Sequence, residues 1–279
     1  QIVPVLGDIR NQERLFHAFD THKPQIVFHA AAYKHVPMLE IQPWEAILNN
    51  IAGTRNLVDI ANQFNVERFV LVSTDKAVRP TNIMGTTKRI AELMVQGQNC
   101  DKGAVTRFIT VRFGNVVGSV GSVVPLFKRQ IEQGGPVTIT HPEVTRYFMT
   151  IPEASQLILQ AGAMGKGGET YILEMGTSIK IADMAKDLIR LSGFEPDKDI
   201  KIEYIGLRPG EKLYEELITE GEDIVPTDHK KIMVLSGMIC ELDLLNGDID
   251  SLIETAKKQD GEMIKTLLKK IVPEYMPNS

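Results

Sequence analysis

The chain has 279 residues, 43% of them hydrophobic and 24% charged, which is apolar material enough for a sizeable core and argues against a disordered segment. Thirty-one Lys and Arg oppose 36 Asp and Glu for a formal charge of -5, and the basic residues are dispersed, which argues against nucleic acid as a partner. Two distant cysteines, Cys100 and Cys240, and six histidines without HExxH or clustered spacing support neither a disulfide framework nor a metal site, and no run approaches ~18 apolar residues.

Short β-branched runs alternate with segments of helical period, so βαβ units and a mainly parallel sheet of the α/β class are expected. The pattern predicts a strand at 2–6, a helix at 12–21, a strand at 25–30, a helix at 43–64, a strand at 68–73, a helix at 83–100 and a strand at 105–112. From Gly114 to Thr150 the alternation breaks into Gly, Ser, Pro and Thr. A helix at 152–164, a strand at 170–174, a helix at 180–192 and a strand at 201–205 follow. A second irregular stretch covers 206–228, and one or two helices lie within 242–271. The irregular stretches are expected to form a small lobe at the carboxyl ends of the strands, where open α/β sheets bind ligands.

The opening strand, Gly7-Asp8, a helix and a strand ending in His29-Ala30-Ala31-Ala32 look like the third and fourth strands of a Rossmann sheet. No GxGxxG or GxxGxxG turn precedes Asp8, so the pyrophosphate cradle and the residue that separates NAD from NADP are absent from this stretch. The missing first strand belongs between the third and fourth, so a gap is expected in the sheet, as in a piece cut from something longer, with weak dinucleotide binding by the piece. Ala30, Ala31 and Ala32 are small enough for close approach of a cofactor, and Asn50 follows on a helix at a suitable distance.

Between the strand at 68–73 and the next helix lie Ser73-Thr74-Asp75-Lys76, then Met84-Gly85-Thr86-Thr87-Lys88. Short-chain dehydrogenases place Ser or Thr here and Tyr-x-x-x-Lys on the helix; Met84 stands at the Tyr position with Lys88 four residues on. A thioether has no proton to exchange, so Met84 cannot act as the phenolic acid/base and a plain dehydrogenase is disfavoured. Thr74, Asp75 and Lys76 instead set a hydroxyl, an acid and an amine within three residues.

This run, together with 29–37 and Arg112-Phe113-Gly114-Asn115-Val116, resembles in order and spacing the bacterial UDP-N-acetylglucosamine 4,6-dehydratases. These are CapD-like polysaccharide biosynthesis proteins of the extended short-chain dehydrogenase/reductases. The resemblance covers Gly7 to about Ser236, and Met in place of Tyr resembles the long, membrane-anchored members. It implies a lyase of capsule or glycan biosynthesis that oxidises the sugar's 4-hydroxyl with NAD(P), NAD favoured, eliminates water across carbons 5 and 6, and returns the hydride to carbon 6. It also implies a homo-oligomer and a cytoplasmic site, at the inner membrane face for a membrane-anchored parent. The expected division is a partial dinucleotide-binding domain at 1–115, a UDP-sugar lobe at 116–150 and 196–236, a return to the core at 151–195 and a C-terminal helical extension at 237–279.

In that reading Lys76 is the base at carbon 5 and Asp75 the acid at the 6-hydroxyl, with Thr74, Met84 and Lys88 beside them. For Lys76 to be a base its pKa must fall from ~10.4, which burial beside Lys88 and a nicotinamide would favour. An Asp75 carboxylate paired with a Lys76 ammonium is the other resting arrangement. Thr74, Asp75 or a water could deprotonate the 4-hydroxyl. The resemblance implies cofactor contacts from Asp8, Ile9, Ala30, Ala31, Ala32, Lys34, Asn50, Ser73, Lys88 and Arg112. Backbone N–H groups before a helix that starts at Val123 suit a diphosphate. Substrate contacts are implied for Lys34, His35, Asn115, Ser122, Val123, Thr138, Thr140 and Arg146, with Arg208 gripping phosphate and Glu211 a ribose hydroxyl. A UDP-sugar epimerase and a non-catalytic fragment are the alternatives.

Overall fold

The structure, a computed structural model, describes residues 2–100, 103, 105–218, 223–235 and 242–277. Asn11 caps α1 (Gln12–His22) by accepting from the Arg14 amide, and β1 (Ile26–His29) follows. Prolines in the first turns of α2 (Val36–Ile41) and α3 (Pro43–Ala46) sit where no N–H is needed. A π-helical turn (Ile47–Ala52) continues into α4 (Gly53–Gln63). β2 (Arg68–Val72) leads through a 3₁₀ turn (Asp75–Ala77) to α5 (Ile83–Gly97), β3 (Arg107–Arg112) and β4 (Asn115–Val116). Then come α6 (Val123–Glu132), β5 (Val137–Ile139), β6 (Thr145–Arg146), β7 (Phe148–Met149) and α7 (Ile151–Met164). β8 (Thr170–Leu173), β9 (Ile179–Lys180), α8 (Ile181–Leu191) and β10 (Ile202–Tyr204) precede β11 (Ile224–Pro226), β12 (Ile232–Leu235), α9 (Leu242–Lys257) and α10 (Gly261–Ile271).

The main sheet has the order β1-β2-β3-β8-β12-β11, parallel from β1 to β8 and antiparallel beyond. Strand alternation sends Phe69 and Leu71 to one face, into a core with α4, α5, α9 and α10. Val70, Ile109 and Val111 point to the other face, where α7 supplies Ala154, Leu157 and Ala161. Covering both faces of the parallel strands is what makes β2 and β3 nearly continuous apolar runs. The expected α/β fold with a parallel sheet is therefore present. A separate core holds the lobe: β5 pairs with β10, and α6 and α8 pack Phe127, Ala185 and Ile189 into one cluster with Ile139 of β5.

Four expectations change. Residues 2–6 form no strand, and Ile2 and Leu6 are 94% and 93% exposed, because among the described residues nothing pairs with them and β1 pairs only with β2. Residues 224–235, expected in the lobe, form an antiparallel hairpin that extends the main sheet. α8, expected with the main core, packs in the lobe. α9 and α10, expected as a C-terminal extension, pack into the main body: Leu252, Ile264, Leu268 and Tyr275 are buried with Ile47, Ile51 and Ile83 in the largest core. Ser236 and Cys240 lie outside the described residues. Among the described residues no helix is long and apolar enough to cross a membrane.

Candidate active site

The carboxyl ends of β1, β2 and β3 open into a cleft of about 480 Å³, walled opposite by α6, β5 and β6. Its floor is the turn after β2. The Ser73 amide donates to Val111 O at 2.8 Å and the Asp75 amide to Phe113 O at 2.9 Å, so the strand ladder pins the turn to the segment after β3. Thr74 caps the 3₁₀ turn: its Oγ1 accepts from the Lys76 amide at 3.4 Å and donates to Asp75 Oδ1 at 2.8 Å. Lys76 Nζ donates to Asp75 Oδ1 and to Asn115 Oδ1, both at 3.0 Å. Asp75 is fully buried, and its Oδ2 has no hydrogen-bond partner, whereas the Lys76 side chain is 20% exposed and lines the cleft.

α5 can begin against this turn only because residue 85 is glycine. A Cβ there would sit 2.1 Å from the Lys76 carbonyl oxygen, which is backbone and cannot step aside. Asn82 caps α5 by accepting from the Gly85 amide at 2.8 Å, and its Nδ2 donates to Gly210 O at 3.0 Å. Thr81 Oγ1 donates to the same carbonyl at 2.9 Å and Lys212 Nζ to Val78 O at 2.9 Å. The 208–216 segment is thus moored beside the turn and brings acidic residues to it.

The Lys76 ammonium is held by its neighbours. Burial alone would push its pKa down, but the Asp75 and Glu215 carboxylates outweigh burial and raise it above the ordinary lysine value. The expected fall in the Lys76 pKa is thereby reversed, because carboxylates, not Lys88, are what surround it. Lys76 therefore rests as the ammonium. Lys88 is the lysine that burial lowers, to about 8, against the opposing pull of Glu92; its Nζ donates to Val72 O at 2.7 Å. Met84 is buried on the same helix and lines the cleft with Lys88.

Six of the expected contacts do not reach the cleft wall. Asp75 lies just behind it. Arg112 is fully buried, with Nε 3.2 Å and a terminal nitrogen 2.8 Å from the Glu92 carboxylate and another nitrogen 3.3 Å from Leu217 O, so it ties β3 to α5 and is not a cofactor arm. Asn50 is a clamp: its Oδ1 accepts from the Tyr33 amide at 2.8 Å, and its Nδ2 donates to Tyr33 O at 3.0 Å and Thr87 Oγ1 at 3.1 Å. Asp8 pairs with Arg10 at the surface, Ile9 accepts from Asn56 through its carbonyl, and Ala31 is exposed without lining the cleft. His29 is buried beside Thr54 and held neutral, its pKa pushed to about 3 by burial and by Lys88.

The other expected residues are brought together. Ala30, Ala32, Lys34 and His35 form one rim, and Ser73, Thr74 and Asn115 share the floor with Lys76. The Ser73 hydroxyl is spent on Glu92, to which it donates at 2.6 Å. Ser122, Val123, Thr138, Thr140, Arg146, Arg208 and Glu211 line the lobe side. Thr140 Oγ1 donates to Glu211 Oε1 at 2.9 Å and Arg146 reaches the same oxygen at 3.3 Å, so these three form one polar cluster. Gly121, with φ of +73°, packs against the His35 ring, where a Cβ would meet Cε1 at 2.4 Å. Two buried carboxylates were not foreseen: Glu92, and Glu215 at 3.7 Å from Lys76 Nζ. Arg89 is an i−3 neighbour of Glu92 on α5, but the partners that mark the two as part of the site, Arg112 and Lys76, are remote in sequence.

The sequence pattern of the family described as "Polysaccharide biosynthesis protein" matches residues 1–237. The "Capsular polysaccharide biosynthesis protein CapD" of Staphylococcus aureus is 59% identical over 222 residues, covering 80% of this chain and 37% of that protein. The "UDP-glucose 4-epimerase" of Rickettsia canadensis is 39% identical, covering 80% and 63%. The "UDP-N-acetylglucosamine 4,6-dehydratase (inverting)" of Campylobacter jejuni is 36% identical over 260 residues, covering 92% and 75%. Among solved structures, "Pen from Bacillus thuringiensis" superposes with a TM-score of 0.77 at 40% identity, covering 85% of this chain and 72% of that one.

Proposed function

The chain belongs to the polysaccharide biosynthesis protein family, within the extended short-chain dehydrogenase/reductases, and from that premise we propose that it is the catalytic region of a nucleotide-sugar 4,6-dehydratase acting on UDP-N-acetylglucosamine. The observation that carries the reading is the Asp75–Lys76 pair on the cleft floor, 3.0 Å apart, with a thioether at the position of the phenol.

Ala30, Ala32, Val72 and Met84 form small or apolar walls, and Lys88 sets a buried ammonium among them, so these residues fit the nicotinamide and its ribose. When bound, an NAD-type cofactor would supply a hydride acceptor for sugar carbon 4 and a hydride donor for carbon 6. Thr74 hydrogen-bonds the 4-hydroxyl. Lys76, resting as ammonium, passes one proton along its hydrogen bond to Asp75, which leaves a neutral amine and a carboxylic acid. The amine takes the carbon 5 proton while the acid protonates the departing 6-hydroxyl, which leaves as water. As carbon 6 is reduced the Lys76 ammonium returns that proton to carbon 5, and the proton released from the 4-hydroxyl through Thr74 refills the pair, which ends as ammonium and carboxylate. The diphosphate lies against Arg208 and the amides that open α6, and Thr138, Thr140 and Arg146 face the uridine.

An epimerase shares the 4-keto stage, and an epimerase relative supports that second reading. It needs no acid for a leaving hydroxyl, however, and Asp75 beside Lys76 would then be idle. The protein incubated with UDP-N-acetylglucosamine and NAD is expected to yield the 6-deoxy-4-keto sugar nucleotide. A UDP-sugar stereoisomer as sole product would refute the dehydratase reading.

A further inference from the structure

Asp75 from its own turn, Arg146 from β6 and Glu215 from the 208–216 segment are the charged groups that face Lys76. Glu215 Oε1 lies 3.7 Å from both Lys76 Nζ and Arg146 Nε, its side chain is only 4% exposed, and its Oε2 has no hydrogen-bond partner. A carboxylate so enclosed is costly to keep unless its charge is needed where it stands. Glu215 lies behind the cleft and meets the site through Lys76 and Arg146, both of which line it.

We propose that Glu215 is a positioning residue for the elimination: with Asp75 it grips the Lys76 ammonium in the resting site, and it stays as a counter-charge to Arg146 when the Lys76 proton moves to Asp75. The inference rests on the dehydratase reading for its use, but not for its geometry. At rest Asp75 and Glu215 carry two negative charges against Lys76 and Arg146. After the transfer one Nζ–H bond has broken, one O–H bond on Asp75 has formed, and Glu215 against Arg146 remains. Without Glu215, Lys76 would lose a carboxylate at 3.7 Å, and Arg146 would face it with Glu211 as the one acidic contact left to it among the described residues. Both proton-binding steps of the Asp75–Lys76 pair would then move to lower pH.

The test uses the full chain and Glu215→Gln, which keeps the shape and removes the charge. The first reading, independent of substrate, is the titration of the Lys76 Nζ resonance by NMR, assigned with Lys76→Met. The Lys76 midpoint in the unaltered chain is expected above that of ordinary lysine, and in Glu215→Gln it should fall by about 1 pH unit or more. The second is the pH profile of dehydration, whose two limbs should shift together to lower pH in the variant, with Glu215→Asp restoring most of the shift. A Lys76 midpoint unchanged by Glu215→Gln overturns the proposal. If Glu215→Gln fails to fold, a midpoint below ordinary lysine in the unaltered chain overturns it equally. Absence of dehydration with a shifted Lys76 titration would refute the substrate reading and leave the charge arrangement standing.

Discussion

At the scale of single residues, the proposed dehydration depends on one proton shared by Asp75 and Lys76, whose side chains meet at 3.0 Å. Asp75→Asn and Lys76→Met are each expected to lower dehydration by about 10²–10⁴-fold while leaving UDP affinity within a few-fold, read by steady-state kinetics and calorimetric titration. Normal turnover in either would contradict the roles given. The triplet could be found in sequence because it is contiguous. Glu92 and Glu215 could not, since Arg112 and Glu92 meet across a strand and a helix, and Lys76 and Glu215 across two halves of the chain. Arg112 shows how a residue correctly placed at a strand end was given the wrong partner. Glu92 also sets an acid limit: burial pushes its carboxyl up, but Arg112, Arg89 and the Ser73 hydroxyl hold it down at about 2 against an ordinary 4.5. Its folded value is depressed, so its contribution is full above about pH 4.5 and is lost as pH falls towards 2. In urea titrations across that window, Glu92→Gln should flatten the dependence, and Arg112→Met at neutral pH should cost about 3–5 kcal/mol by stranding the carboxylate.

At the scale of elements, β2, its turn and α5 act as one part. Gly85 allows α5 to rest on the Lys76 carbonyl, and Asn82 joins that helix start to the 208–216 segment. Gly85→Ala is therefore expected to destabilise the fold by about 1–3 kcal/mol and to reduce turnover more than a surface Gly→Ala such as Gly247→Ala, where nothing lies within 4 Å. Equal activity for the two variants would contradict the close packing. Strands β2 and β3 are legible because two-sided burial writes an unbroken apolar run. Residues 2–6 have the composition of a strand and none of its pairing, which no local pattern reveals. Ile232–Leu235 was missed for the opposite reason: a four-residue apolar run between turns is too short to classify until its antiparallel partner is known.

At the scale of the whole molecule, the largest core joins the site-bearing helix to the C-terminal pair α9 and α10. Leu268 is fully buried in the cluster that holds Ile83 and Met84. Leu268→Ala is expected to cost about 2–5 kcal/mol, and hydrogen exchange should loosen at the amides of α5 as well as α10. Loosening confined to α10 would show that the C-terminal helices are independent of the site. The central claim concerns chemistry at the floor of the cleft, and it is tested most directly by following one labelled hydrogen. UDP-N-acetylglucosamine carrying deuterium at carbon 4 should give, with the full-length protein and NAD, a product lighter by one water with the deuterium at carbon 6. A product of unchanged composition with deuterium still at carbon 4 would contradict the account.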